Sequence, residues 1–227
     1  MNNNELIIYS DPKSSMSEAI RTLRTNLQFA SVDKKIKTIL VTSSIPGEGK
    51  SFIAANLAAA FAGAGSKVLL VDCDIRKGRQ HTIFGLHNKK GLSNLLLKDV
   101  SEDYQDYIHE SGIEGLSILF KGITPPNPSE LLNSEKNKQL VSILYNEYDI
   151  IIFDGAPING LPDSLVMSTL VDGTIIVTGA KTTSFNMLEE TKKSLENVNA
   201  NILGVILNRT EVRKNKYYGG YYGGYYE

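Results

Sequence analysis

The chain has 227 residues, 41% hydrophobic and 22% charged, with 24 Lys and Arg against 25 Asp and Glu for a net charge of −1. This length and balance suit one α/β domain with a sizeable core. They exclude a disordered chain, and also the bulk positive field that would hold nucleic acid or anionic lipid. The one cysteine, Cys73, allows no disulfide within the chain and fits a reducing cytoplasm.

Residues 1–5 lack the charged-then-apolar layout of a signal peptide. A helix is predicted over 16–30, with Ile20, Leu23, Leu27 and Ala30 on one apolar stripe. Glu18, Arg21 and Arg24 lie beside that stripe at three-residue spacing, which by itself reads as a surface helix with a local Glu–Arg pair. A β-branched, continuously apolar run at 37–42 then predicts a strand buried on both faces. The same pattern recurs at 67–72, 116–120, 149–154, 174–179 and 202–208, with helices predicted between these runs at 50–63, 135–147 and 185–198. Strand and helix alternating in this way predict a mostly parallel sheet covered by helices on both faces. The longest apolar stretch, 53–65, is interrupted by Asn56 and too short to span a bilayer.

Between the first strand and the helix at 50–63 runs Ser44-Ile45-Pro46-Gly47-Glu48-Gly49-Lys50-Ser51. Small residues here let the backbone fold around phosphate oxygens and aim its N–H groups inward, and the helix N-terminus adds partial positive charge. Lys50 is placed to reach the β- and γ-phosphates, and the Ser51 hydroxyl to ligate Mg²⁺. The second strand ends in Asp72-Cys73-Asp74 and the fourth in Asp154. Ligands of open parallel sheets bind beyond the carboxyl ends of the strands, so these acids should converge on the phosphate loop. Cys73, between two acids, is read as a buried small residue, because anionic neighbours disfavour a thiolate. At 125–132, Asn127 is placed to cap a short helix, with Pro128 at its first position and Glu130 closing a capping box. Asn208 follows the last strand and has two readings, an adenine ligand or an ordinary strand-end turn. Residues 1–216 thus read as one domain. The tyrosine and glycine pairs of 217–227 have neither helical nor strand periodicity and predict a flexible tail.

Taken together, these segments resemble the bacterial tyrosine kinases of the capsule and exopolysaccharide type, from about residue 18 to the C-terminus. The likeness lies in Pro46-Gly47-Glu48-Gly49-Lys50-Ser51, Asp72-Cys73-Asp74-Ile75-Arg76, Asp154 with Ala156-Pro157, Pro125 to Leu132, and the terminal tyrosines. Three positions depart from it: Ser44 stands where the phosphate motif has glycine, Gly78 where proline is common, and Gly155 where threonine is common. The resemblance implies a phosphate-loop NTPase fold and an ATP site formed by Pro46, Gly47, Glu48, Gly49, Lys50, Ser51 and Phe52. It implies Mg²⁺ held by Ser51, Asp74 and Asp154, with Asp72 the candidate base. Tyr217, Tyr218, Tyr221, Tyr222, Tyr225 and Tyr226 become the phosphoacceptors. Glu18, Arg21 and Arg24 match a Glu-x-x-Arg-x-x-Arg helix used for subunit contact in a ring.

The resemblance further implies a membrane-embedded activator that brings a cytoplasmic chain to the membrane, and a phosphatase that reverses the modification. Neither nucleic acid nor direct membrane insertion is expected. Two other readings share this sheet. One is an ATPase switch of the division-site or chromosome-partition type, which usually has a second lysine where Ile45 stands. The other is a scaffold whose assembly ATP controls without turnover.

Overall fold

The computed structural model describes residues 5–29, 36–98 and 104–210. Ala30, the tail tyrosines, and Arg213, Lys214 and Lys216 before them lie outside the described residues.

Among the described residues, seven strands form one sheet: β1 (Thr38–Ser43), β2 (Val68–Asp72), β3 (Ile108–Glu110), β4 (Leu116–Leu119), β5 (Ile150–Asp154), β6 (Gly173–Gly179) and β7 (Ile202–Asn208). Their spatial order is β3-β4-β2-β5-β1-β6-β7. Every pairing is parallel except β3 with β4. The three-residue edge strand β3 has no counterpart in the sequence reading, because a run that short carries too little alternation to register.

The helices are α1 (Ile7–Ser10), α2 (Ser15–Phe29), α3 (Lys50–Ala62), α4 (Gln80–Phe84), α5 (Leu92–Leu96), α6 (Pro128–Leu132), α7 (Glu135–Glu147), α8 (Asp163–Ser168) and α9 (Phe185–Asn197). Alternate residues of the central strands feed opposite faces of the sheet. Ile39, Val41, Val68, Leu70 and Ile152 pack with α2 and α3. Leu40, Leu69, Val71, Ile151 and Phe153 pack with α5, α7 and α8. Both faces are therefore dry, which is why these strands read as continuous apolar runs. Asn127 precedes α6 as expected and Pro128 opens it, but the Asn127 side chain makes no cap; it donates to Glu130 Oε2 at 3.1 Å instead.

α3 is buried on almost every side, the inner face against the sheet and the outer face against α1 and α2. A helix apolar all round needs such cover, and its alanines let the neighbouring elements approach closely. Asn56 is its one buried amide, and it is satisfied: it donates to the carbonyls of Glu5 (2.8 Å) and Phe52 (2.9 Å) and accepts from the Ile8 N–H (3.2 Å). The N-terminal segment is thereby pinned to the helix that follows the phosphate loop. No helix among the described residues is long and apolar enough to cross a membrane.

A bulge in β7 bears on the site. Thr174 pairs with Ile202 but Ile175 pairs with Gly204, so Leu203 is an extra residue. Leu203 and Ile206 consequently face the α3 side together, and Asn208 follows on that side. A one-residue slip in a strand sends each later side chain to the other face; without the bulge Asn208 would point away from the phosphate loop.

Phe61, 1% exposed, is the largest fully buried side chain of α3 and sits in this core. Phe61→Ala should cost about 3–5 kcal/mol of stability, measured by urea unfolding with the m-value unchanged.

Candidate active site

The sheet order places the site. β5 lies between β1 and β2, so Asp154 sits in register with Asp72 on one side, and its neighbour β1 feeds the phosphate loop on the other. The three acids and the glycine-rich loop therefore share the C-terminal edge of the sheet, where the N-terminus of α3 also points.

Within the loop, Gly47 and Gly49 have φ of +85° and +96°, in the left-handed region that favours glycine. Gly49 has a second reason: a Cβ there would lie 2.2 Å from Asn208 Nδ2. Pro46, Gly47, Gly49, Lys50, Ser51 and Phe52 all line a cavity of about 480 Å³ at this edge. Glu48 does not line it. Its carboxylate is turned inward, 1% exposed, and accepts from the N–H groups of Ile45 and Gly179, each at 2.8 Å, and from the Thr183 hydroxyl. Asn208 does not line it either. Its Nδ2 donates to the Glu48 carbonyl at 2.8 Å and its Oδ1 accepts from the Arg209 N–H at 2.9 Å. Both residues tie the phosphate loop to the ends of β6 and β7.

At the floor, Lys50 Nζ bridges to Asp74 Oδ2 at 2.9 Å and lies 3.6 Å from Asp154 Oδ1. Burial pulls the ammonium down, but Asp154 and Asp74 more than offset this, so Lys50 stays protonated above its ordinary range. Asp72 and Asp154 are fully buried. Burial, with Asp154 beside it, pushes the Asp72 carboxyl well above the usual carboxylate range. Burial also raises Asp154, against the opposing pull of Lys50. Asp74 lines the cavity; Asp72 and Asp154 stand one layer behind it. Cys73 is buried, and its thiol is pushed well up by burial and the neighbouring aspartates, as its position between them implies.

Asp72 Oδ1 and Asp154 Oδ1 are buried and have no hydrogen-bond partner among the described residues. With the Ser51 hydroxyl and Asp74 nearby, they make an all-oxygen donor set of the kind a hard divalent cation takes. No cluster of three His, Cys, Asp or Glu side chains among the described residues forms a ligand cage. Mg²⁺ needs no such cage: it keeps several waters and is held through one or two carboxylates with other oxygen ligands. The residues present therefore fit the ion.

Arg209, just before the tail, reads from sequence either as a partner for tail phosphates or as part of a solvated basic patch; the other residues of the cavity rim have no assigned role there. Arg76, Lys77, Arg79 and Arg209 form a basic rim around the cavity, and Pro157 and Leu161 complete its wall. Arg76 is held by buried Asp163, its Nε donating at 2.7 Å, and by Ser129 Oγ at 3.2 Å. Gly78 packs directly on Asp72, with room for no Cβ, and donates its N–H to the Asp74 carbonyl. Proline in its place would lose that bond. A Cβ at Gly155 would meet Ser164 Oγ at 2.4 Å. A larger cavity, about 840 Å³, lies at the far end of α3 by Tyr9, Gly63 and Lys67. It has neither a phosphate loop nor paired acids.

On α2, Glu18 and Arg21 pair with each other, while Arg24 Nη1 turns inward to the Ala60 carbonyl at 3.2 Å. The structure therefore separates the two arginines: Arg21 stays on the helix surface and Arg24 partly caps α3.

Fold and site together define a nucleotide-binding phosphate-loop domain, and residues 39–220 match the CobQ/CobB/MinD/ParA nucleotide binding domain. The chain is 41% identical over 214 residues to the tyrosine-protein kinase YwqD of Bacillus subtilis, covering 94% of this chain and 90% of that one. It is 39% identical to the putative tyrosine-protein kinase CapB of Staphylococcus aureus, covering 94% and 92%. Among solved structures, the chimerical protein CapA2B2 superposes with a TM-score of 0.86 at 42% identity, over 91% of this chain and 90% of that one. The kinase domain of Escherichia coli ETK gives 0.84 at 30%, over 92% and 82%. The chain belongs to the bacterial protein-tyrosine kinases of the capsule and exopolysaccharide type. A septum-site protein MinD from Pyrococcus horikoshii, at 24% identity and a TM-score of 0.65, shares the fold.

Glu48→Ala leaves three donors without an acceptor. It should cost about 1–3 kcal/mol for each one that stays buried and weaken ADP binding at least tenfold, read by denaturant unfolding and calorimetric titration.

Proposed function

We propose that this chain transfers the γ-phosphoryl group of Mg-ATP to tyrosine hydroxyls, with the tail tyrosines Tyr217, Tyr218, Tyr221, Tyr222, Tyr225 and Tyr226 of a neighbouring copy as acceptors. The observation that carries this reading is the buried group of Asp72, Asp74 and Asp154 around Lys50, directly beneath the phosphate loop. Phosphoryl transfer requires positioning and charge neutralisation more than covalent chemistry. Lys50 would exchange Asp74 for the β- and γ-phosphates, and the N–H groups of the loop would hold the remaining phosphate oxygens. Ser51, Asp74 and Asp154 would hold Mg²⁺, which supplies charge neutralisation at the transferring phosphate. Asp72 in its ionised form, with a proton affinity raised by burial, would take the tyrosine proton. The rim of Arg76, Lys77, Arg79 and Arg209 supplies further positive charge at the mouth.

Transfer in trans needs neighbours. The α2 surface carrying Glu18 and Arg21 is proposed as one side of a head-to-tail contact that closes a ring. The chain would act in the cytoplasm, brought to the membrane by a membrane-embedded activator and reset by a phosphatase, in the control of capsule or exopolysaccharide synthesis and export.

Intact mass after incubation with Mg-ATP should rise in steps of one phosphate. Lys50→Met should abolish the steps. A chain ending at Lys216 should also lose them while keeping its ATP affinity. ATP hydrolysis without any phosphotyrosine would instead favour the ATPase-switch reading. Arg21→Glu should shift the assembly to smaller species in light scattering and slow self-modification several-fold. An unchanged mass would remove α2 from the contact.

A further inference from the structure

Gln80 is the first residue of α4 and is fully buried. Its Nε2 donates to Asp154 Oδ2 at 2.8 Å and to the Ser51 carbonyl at 3.0 Å, and its backbone N–H donates to Asp72 Oδ2 at 3.0 Å. One side chain and its own amide thus join the end of β2, the end of β5 and the start of α3. We propose that Gln80 is a positioning residue for the cation: it fixes which oxygen of Asp154 is offered to the metal, and at what distance from Ser51.

Two buried carboxylate oxygens of the site lack a hydrogen bond. By occupying Asp154 Oδ2, the amide leaves Oδ1, on the side of Lys50, without a hydrogen bond. It does the same for Asp72, whose Oδ2 accepts the backbone N–H while Oδ1 stays unpaired. The donor is also neutral. Lysine or arginine in its place would neutralise Asp154 and compete with a cation for it, whereas a carboxamide orients the carboxylate and leaves its charge available.

Packing does not explain the residue. Gln80 Oε1 is itself buried without a partner, a desolvation cost that an apolar side chain of the same size avoids. Groups that orient metal ligands in this way typically influence metal affinity by about 10–100-fold.

The proposal rests on the Mg-ATP reading, and the test separates the two. The full chain is titrated with Mg²⁺ at fixed fluorescent ADP, and nucleotide affinity is measured again in EDTA. Gln80→Met keeps the length and removes the donor; Gln80→Ala serves if the first variant fails to fold. The expected result is a rise of about tenfold in half-saturating Mg²⁺, with the metal-free affinity within twofold of wild type. Half-saturation within twofold of wild type overturns the proposal. So does an equal loss of affinity with and without metal, which would make Gln80 a packing residue. If wild type itself shows no Mg²⁺ dependence, the Mg-ATP reading fails and takes this inference with it.

Discussion

One lysine stands among three buried carboxylates, and the rest of the site is arranged around that imbalance. Lys50 is tied to Asp74 and close to Asp154, with Asp72 directly beside them. Burial, with the neighbouring acids, pushes the Asp72 and Asp154 carboxyls toward their protonated forms, against the opposing pull of Lys50. On the proposed Mg-ATP reading, a divalent cation would add two positive charges beside Lys50 among the three acids. The polyphosphate of a nucleotide would bring negative charge to the mouth, where Lys77 and Arg209 line the cavity beside Arg76 and Arg79, which pair with Asp163 and Glu5.

The phosphate loop is held from behind as well as from below. Glu48 spends its carboxylate on Ile45, Gly179 and Thr183, and Asn208 reaches the Glu48 carbonyl from the end of β7. These bonds couple the loop to β6 and to the edge strand β7, on the side of β1 away from the acids, and the sequence beyond Asn208 leads directly to the tail. The bulge at Leu203 is what turns Asn208 to the correct face. A local irregularity in an edge strand thus bears on a loop that follows a strand two places away in the sheet.

The departures from the family pattern have local reasons. Gly78 leaves the space that Asp72 fills and supplies an N–H to the turn after Asp74. Gly155 leaves the space that Ser164 occupies, and Ser164 in turn donates to the Ala156 carbonyl at 2.5 Å. In both places a missing side chain in the motif is matched by a neighbour from another element.

Sequence alone determined the parts whose chemistry is written in contiguous residues. The loop at 44–51, the acids at the ends of apolar runs and the alternation of strand and helix were all legible, because strands buried on both faces announce themselves and phosphate loops have a fixed spacing. Tertiary structure decided what depends on partners distant in the chain. Glu48 reads as a nucleotide contact beside its glycines, yet Gly179 and Thr183, more than a hundred residues on, draw its carboxylate inward. Arg21 and Arg24 look equivalent on a helix wheel, and only the approach of α3 separates them. Gln80 carries no signal at all in sequence: a neutral side chain opening a short helix acquires meaning only where three chain segments converge, because a hydrogen bond is specified by position and a sequence records only order.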